Sequence, residues 1–130
     1  MKRFLSMVVL AALTLFVAGA MAAEMKGMKA AAKPTTLKGE IVDTGCYLGH
    51  GKSGADHKSC ASRCIANGMP MGLLTADGKL YLLTPNHDNA DPYTQLKDLA
   101  ARVVEVTGVV YERGGMRSID VTDLKAGDAK

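Results

Sequence analysis

The stretch MGLLTADGKLYLLT, residues 71–84, predicts a β-hairpin and is the clearest indication of the fold. Two apolar runs flank Asp77-Gly78, a dipeptide that is typical of the tight turn between antiparallel strands. We therefore expect two paired strands near the middle of the chain.

A second hairpin is predicted over residues 103–124, which are rich in valine and other residues that favour strands. Gly114-Gly115 lie where the chain must turn back, and Gly108 interrupts the first strand as a β-bulge would. The second half of the chain thus predicts four strands in two hairpins.

A further strand is predicted ahead of the first hairpin, in TLKGEIVDTG, residues 36–45. Leu37, Ile41 and Val42 supply its apolar positions. The following segment, YLGHGKSGA at residues 47–55, contains three glycines, and we expect an irregular loop there.

Two helices complete the predicted order of elements. HKSCASRCIAN, residues 57–67, follows Asp56 as a suitable N-cap and is closed by Gly68 at its C-terminal end. A second helix is predicted to begin with Asp91 as its N-cap and Pro92 at its first position.

This order predicts a mainly β, α+β fold, a small five-stranded barrel of the OB type. The cysteine-bearing helix is inserted between strands 1 and 2, and the second helix lies between strands 3 and 4. Glycines at Gly39 and Gly108 suit a barrel, because a closed sheet must bend its strands sharply. An open α+β sheet is the alternative fold.

The N-terminal residues have the pattern of a secretory signal peptide. Two basic residues precede the apolar run FLSMVVLAALTLFVAGA, and small residues at Ala20 and Ala22 offer a cleavage site after Ala22 or Ala23. We expect a periplasmic or secreted protein with no stable membrane span after cleavage. The predicted organisation is a signal peptide over 1–22, a flexible linker over 23–36, an OB-like domain over 37–124 and a disordered tail over 125–130.

The charge of the mature chain argues against nucleic acid as a partner. Removing Lys2 and Arg3 from the 16 basic residues leaves 14, against 13 acidic residues. A nearly neutral protein lacks the basic surface that binds phosphate backbones.

Several segments resemble a group of small secreted bacterial proteins of unassigned function. Their pattern is D-x-x-C-Y, then H-x-x-C-A-x-x-C, then G-x-P-x-G-L-L, and it is found here in GEIVDTGCYLGHG and ADHKSCASRCIANGMPMGLL. The likeness covers most of residues 37–122, and the C-terminal hairpin also resembles the last strands of bacterial OB-fold proteins. The resemblance implies the compartment and the fold, and it implies no activity.

The candidate site lies in GCYLGHGKSGADHKSCASRC, residues 45–64, which contains all three cysteines of the chain. His57, Cys60 and Cys64 are spaced three and four residues apart, so a helix places them on one face. Cys46 approaches from the end of the first strand. Three cysteines and one histidine form a recognised ligand set for zinc, and the thiolates also suit copper.

Other residues nearby extend this ligand set. His50 is an alternative nitrogen ligand, since it follows Cys46 by four residues. Met69 or Met71 would supply a thioether ligand if the metal were copper. We therefore expect a binding function. No nucleophile elbow or third member of a catalytic triad is evident, and the sequence does not require an enzyme.

Two other functions compete with metal binding. A disulfide from Cys46 to Cys60 or Cys64 would close a loop of about 15–19 residues and stabilise the fold by about 3 kcal/mol. The protein would then be a binding module for a protein or small ligand, with its fold stabilised by the disulfide. Alternatively, the three cysteines would pass a disulfide between pairs in a thiol–disulfide redox protein. A bond between Cys60 and Cys64 is disfavoured, because Cβ atoms four residues apart on a helix are about 5–6 Å apart.

Overall fold

The structure, a computed structural model, describes residues 33–127. The predicted signal peptide, most of the predicted linker and residues 128–130 lie outside the described residues. Within 33–127, no helix combines the length and the apolar character needed to cross a membrane.

The strands and α-helices are β1 (Thr35–Asp43), α1 (Thr44–His50), α2 (Lys58–Ala66), β2 (Met71–Thr75), β3 (Leu80–Pro85), α3 (Asp91–Leu96), β4 (Val103–Arg113) and β5 (Met116–Ala126). Short 3₁₀ helices over Ala55–His57 and Lys97–Leu99 precede α2 and follow α3.

The five strands form a closed barrel in the order β1-β2-β3-β5-β4, with β4 pairing back onto β1. Four of the five strand pairs are antiparallel, and β3 with β5 is the parallel pair. Both predicted hairpins are present, with turns at Asp77-Gly78 and at Gly114-Gly115. The predicted OB-like barrel, with helices inserted after the first and third strands, is therefore confirmed.

Two glycines allow the barrel to close. The register of β4 against β5 shifts between Thr107 and Gly108, so the predicted bulge is present. At Gly39, where β1 pairs with both β2 and β4, a Cβ atom would lie 2.6 Å from the backbone oxygen of Leu74. Side chains at these two points would force neighbouring strands apart.

Replacing Gly108 by alanine is expected to destabilise the barrel. The added Cβ would overlap the backbone oxygen of Asp120, and overpacking of this kind costs about 1–3 kcal/mol. Urea unfolding measures the change. Gly49→Ala is the control, because a Cβ there meets no heavy atom within 4 Å and alanine favours the helix. Equal stability of the two variants would contradict this account of the barrel.

The apolar core inside the barrel fixes the position of α2. Ala61 and Ile65 are 2% and 4% exposed and belong to the core, and α2 packs against β1 and the 3₁₀ turn Lys97–Leu99. Cys60 and Cys64 come directly before Ala61 and Ile65 in the chain, and both cysteines are half-buried. Burial of one helix face thus holds the two cysteines at the edge of the barrel core.

The connection between β1 and β2 is more regular than predicted. The expectation of an irregular loop over residues 47–55 is wrong for its first part, because α1 continues to His50. Asp43 supplies the N-cap, since its side chain accepts a hydrogen bond from the Cys46 backbone N–H, and Gly51 closes the helix with a φ of 64°.

The structure changes the predicted N-terminal caps of the other two helices, α2 and α3. His57, without a side-chain cap, precedes α2 in place of Asp56, which lies in the 3₁₀ turn. Ala90 precedes α3, so Asp91 is its first residue and does not cap it. Gly68, with a φ of 96°, follows α2 as predicted. Each helix therefore starts one residue from its predicted position, α2 later in the chain and α3 earlier.

Candidate metal centre

A cluster of cysteine, histidine and aspartate side chains lies where β1, α1 and α2 meet. Asp43 ends β1, and Cys46 lies in the first turn of α1. His57 is the last residue of the 3₁₀ turn, and Cys60 and Cys64 lie on α2. Residues from four consecutive elements, β1, α1, the 3₁₀ turn and α2, therefore contribute to one site.

The ligand atoms fall into two overlapping groups. One group contains Cys46, His57 and Cys60, and the other contains Asp43, Cys46 and Cys64. Within each group all ligand atoms lie within 4.8 Å of one another. In a tetrahedral zinc site the ligand atoms are about 3.3–3.8 Å apart, given the usual bond lengths. Small movements of the side chains would bring either group into that range.

Asp43 is the residue that links the parts of the site. Its side chain is fully buried, and its Oδ1 accepts a hydrogen bond of 2.8 Å from the backbone N–H of Cys46. Its Oδ2 lies 3.2 Å from Nε2 of His57. One carboxylate thus caps α1 and also orients the imidazole, an arrangement common around metal-binding histidines.

The prediction from sequence missed Asp43 as a site residue. An aspartate at a strand end, three residues before Cys46, has the spacing of an N-cap, and this signal was available. Its contact with His57, fourteen residues along the chain, depends on how α2 packs and leaves no local pattern.

The carboxylate also affects the cysteine thiols. Hydrogen bonding to Asp43, followed by burial and by the negative charge of Asp43, raises the pKa of Cys46 from 9.0 to about 12. Burial, followed by hydrogen bonding to Cys60, raises the pKa of Cys64. Both thiols therefore hold their protons near neutral pH in the metal-free protein. A metal must displace these protons, so its affinity is expected to rise with pH.

The structure brings the four main predicted ligands together. Cys46, His57, Cys60 and Cys64 are all half-buried, which leaves the cluster reachable from solvent. His50 lies at the exposed end of α1, outside both groups. The alternative disulfide from Cys46 to Cys60 or Cys64 is not seen, because all three cysteines are free thiols.

The two methionines considered as thioether ligands differ in position. Met71 is 1% exposed and belongs to the apolar core of the barrel. Met69 is partly exposed, and its Sδ lies 2.8 Å from where a Cβ on Gly45 would be. A glycine at position 45 therefore makes room for Met69 beside the first turn of α1.

Comparison with known proteins gives no match for this chain among protein-family models, curated proteins or solved structures. The resemblance to small secreted bacterial proteins thus stays a prediction.

Proposed function

We propose that the protein binds a thiophilic metal ion, zinc or copper, through Cys46, His57, Cys60 and Cys64. The observation that supports this is the convergence of their ligand atoms, in groups within 4.8 Å, from separate elements of the fold. A buried carboxylate beside the histidine gives further support, because such a pair is typical of metal centres. The signal-peptide pattern supports a periplasmic or secreted location.

The ligand set suits both candidate metals. Three thiolates and one imidazole satisfy tetrahedral zinc, and thiolates also favour copper(I). Asp43 contributes in one of two ways, by orienting His57 or by binding the metal with Cys46 and Cys64. The half-buried position of the thiols suits a metal that exchanges with solvent or a partner, as metal handling or sensing requires.

The two histidines of the connection provide a matched test. His57→Ala is expected to weaken zinc binding by about 10–100-fold or more, since loss even of an outer-shell partner has that effect. His50→Ala is the control and should leave the affinity unchanged, because His50 lies outside both groups. Competition with a chromophoric chelator, under reducing conditions, measures both affinities. Equal effects of the two substitutions, or no zinc binding at all, would contradict the proposed function.

A further inference from the structure

The three cysteines do not occupy equivalent positions. Cys46 belongs to both groups of ligand atoms, whereas Cys60 belongs to one and Cys64 to the other. Cys60 and Cys64 are four residues apart on α2, where Cβ atoms are about 5–6 Å apart and too distant for an unstrained disulfide. Each sulfur on α2 therefore has Cys46 as its only suitable partner among the cysteines.

The element that carries Cys46 is less deeply packed than the element that carries Cys60 and Cys64. None of the residues of α1 is buried, whereas α2 is anchored in the core through Ala61 and Ile65. Two glycines with positive φ, Gly51 at 64° and Gly54 at 84°, lie in the segment that joins the two helices, and Gly51 is exposed. A shift of α1 by a few ångströms would bring the Cys46 sulfur from within 4.8 Å to bonding distance, about 2.05 Å.

We infer that a two-electron oxidant, such as a peroxide, releases the metal by joining Cys46 to Cys60 or Cys64. Cys46 is then the obligatory sulfur of a redox-controlled metal site. This inference rests on the proposed function, because it concerns the release of the metal bound there. A thiolate consumed in a disulfide is no longer an anionic ligand, and each disulfide removes Cys46 from both groups at once.

The reaction balances with hydrogen peroxide as the oxidant. One thiolate attacks a peroxide oxygen, which forms a sulfenic acid and releases hydroxide. The second thiolate attacks the sulfenic sulfur, which forms the S–S bond and releases a second hydroxide. Two protons from solvent convert the hydroxides to water, two electrons pass from sulfur to peroxide, and zinc, which has no redox chemistry, leaves as Zn²⁺.

The test uses the zinc-loaded protein treated with hydrogen peroxide. Zinc release is followed with a chromophoric indicator, and the disulfide is mapped by mass spectrometry of peptides. The wild-type protein is expected to release its zinc with the loss of two thiols, and with Cys46 in every disulfide. Zinc that stays bound while thiols are oxidised, or a Cys60–Cys64 disulfide in the wild-type protein, would overturn the inference and leave the proposed function intact.

Metal-free variants provide the matched comparison. Cys60→Ser and Cys64→Ser should each form one intramolecular disulfide with Cys46, whereas Cys46→Ser should form none. A Cys60–Cys64 disulfide in Cys46→Ser, at the wild-type rate, would overturn the inference. Should the reduced wild-type protein bind no zinc, the proposed function fails first and the inference fails with it. Mapping the wild-type disulfide needs no variant, so a folding defect in Cys46→Ser does not affect it.

Discussion

Cys46→Ser is expected to weaken zinc binding more than any other single substitution, by over about 100-fold. Loss of an outer-shell partner already weakens metal sites by about 10–100-fold, and Cys46 is a ligand candidate in both groups. Cys60→Ser and Cys64→Ser each leave one complete group and should have smaller effects. Chelator competition on reduced protein measures all three affinities.

The ranking of the three variants is the informative result. Serine has nearly the size of cysteine, so the helices should be retained, and circular dichroism checks this. If Cys46→Ser bound zinc as tightly as Cys60→Ser, the central position of Cys46 would be wrong. Cys46 and Cys60 would then contribute equally to the site.

Asp43→Ala and Asp43→Asn are expected to separate the two roles of this carboxylate. Alanine removes the cap of α1 and should lower the free energy of unfolding by about 0.5–2 kcal/mol. Asparagine keeps an oxygen acceptor for the Cys46 N–H and should change stability little. Urea unfolding of the metal-free proteins measures this difference.

The asparagine variant should instead change the titration of Cys46. Because hydrogen bonding to the carboxylate and its negative charge both raise the pKa of that thiol, their removal should lower it from about 12 toward 9.0. Ultraviolet absorbance of the thiolate, followed as the pH is raised, reports the pKa. An unchanged titration would show that burial alone raises the pKa of Cys46.

The barrel could be predicted because its signals are local. Asp77-Gly78 and Gly114-Gly115 mark the two turns, and Gly108 marks the bulge where the barrel bends. Each of these turn and bulge signals depends on the backbone preferences of the residues themselves, so no long-range contact is needed to recognise the signal.

The connection that carries the site was harder to predict. The glycines of residues 47–55 predict a loop, yet Asp43 and Gly51 cap a helix of seven residues between them. Helix spacing favoured His57 together with Cys60 and Cys64, but it left His50 open as an alternative ligand. That choice depends on the contact between His57 and the buried Asp43, which exists only once α2 packs on the barrel.

X-ray absorption at the zinc edge of the zinc-loaded, reduced protein tests the central claim most directly. We expect sulfur neighbours at about 2.3 Å together with imidazole nitrogen at about 2.0–2.1 Å. A spectrum with oxygen and nitrogen neighbours alone would contradict the account, because zinc would then be bound away from Cys46, Cys60 and Cys64.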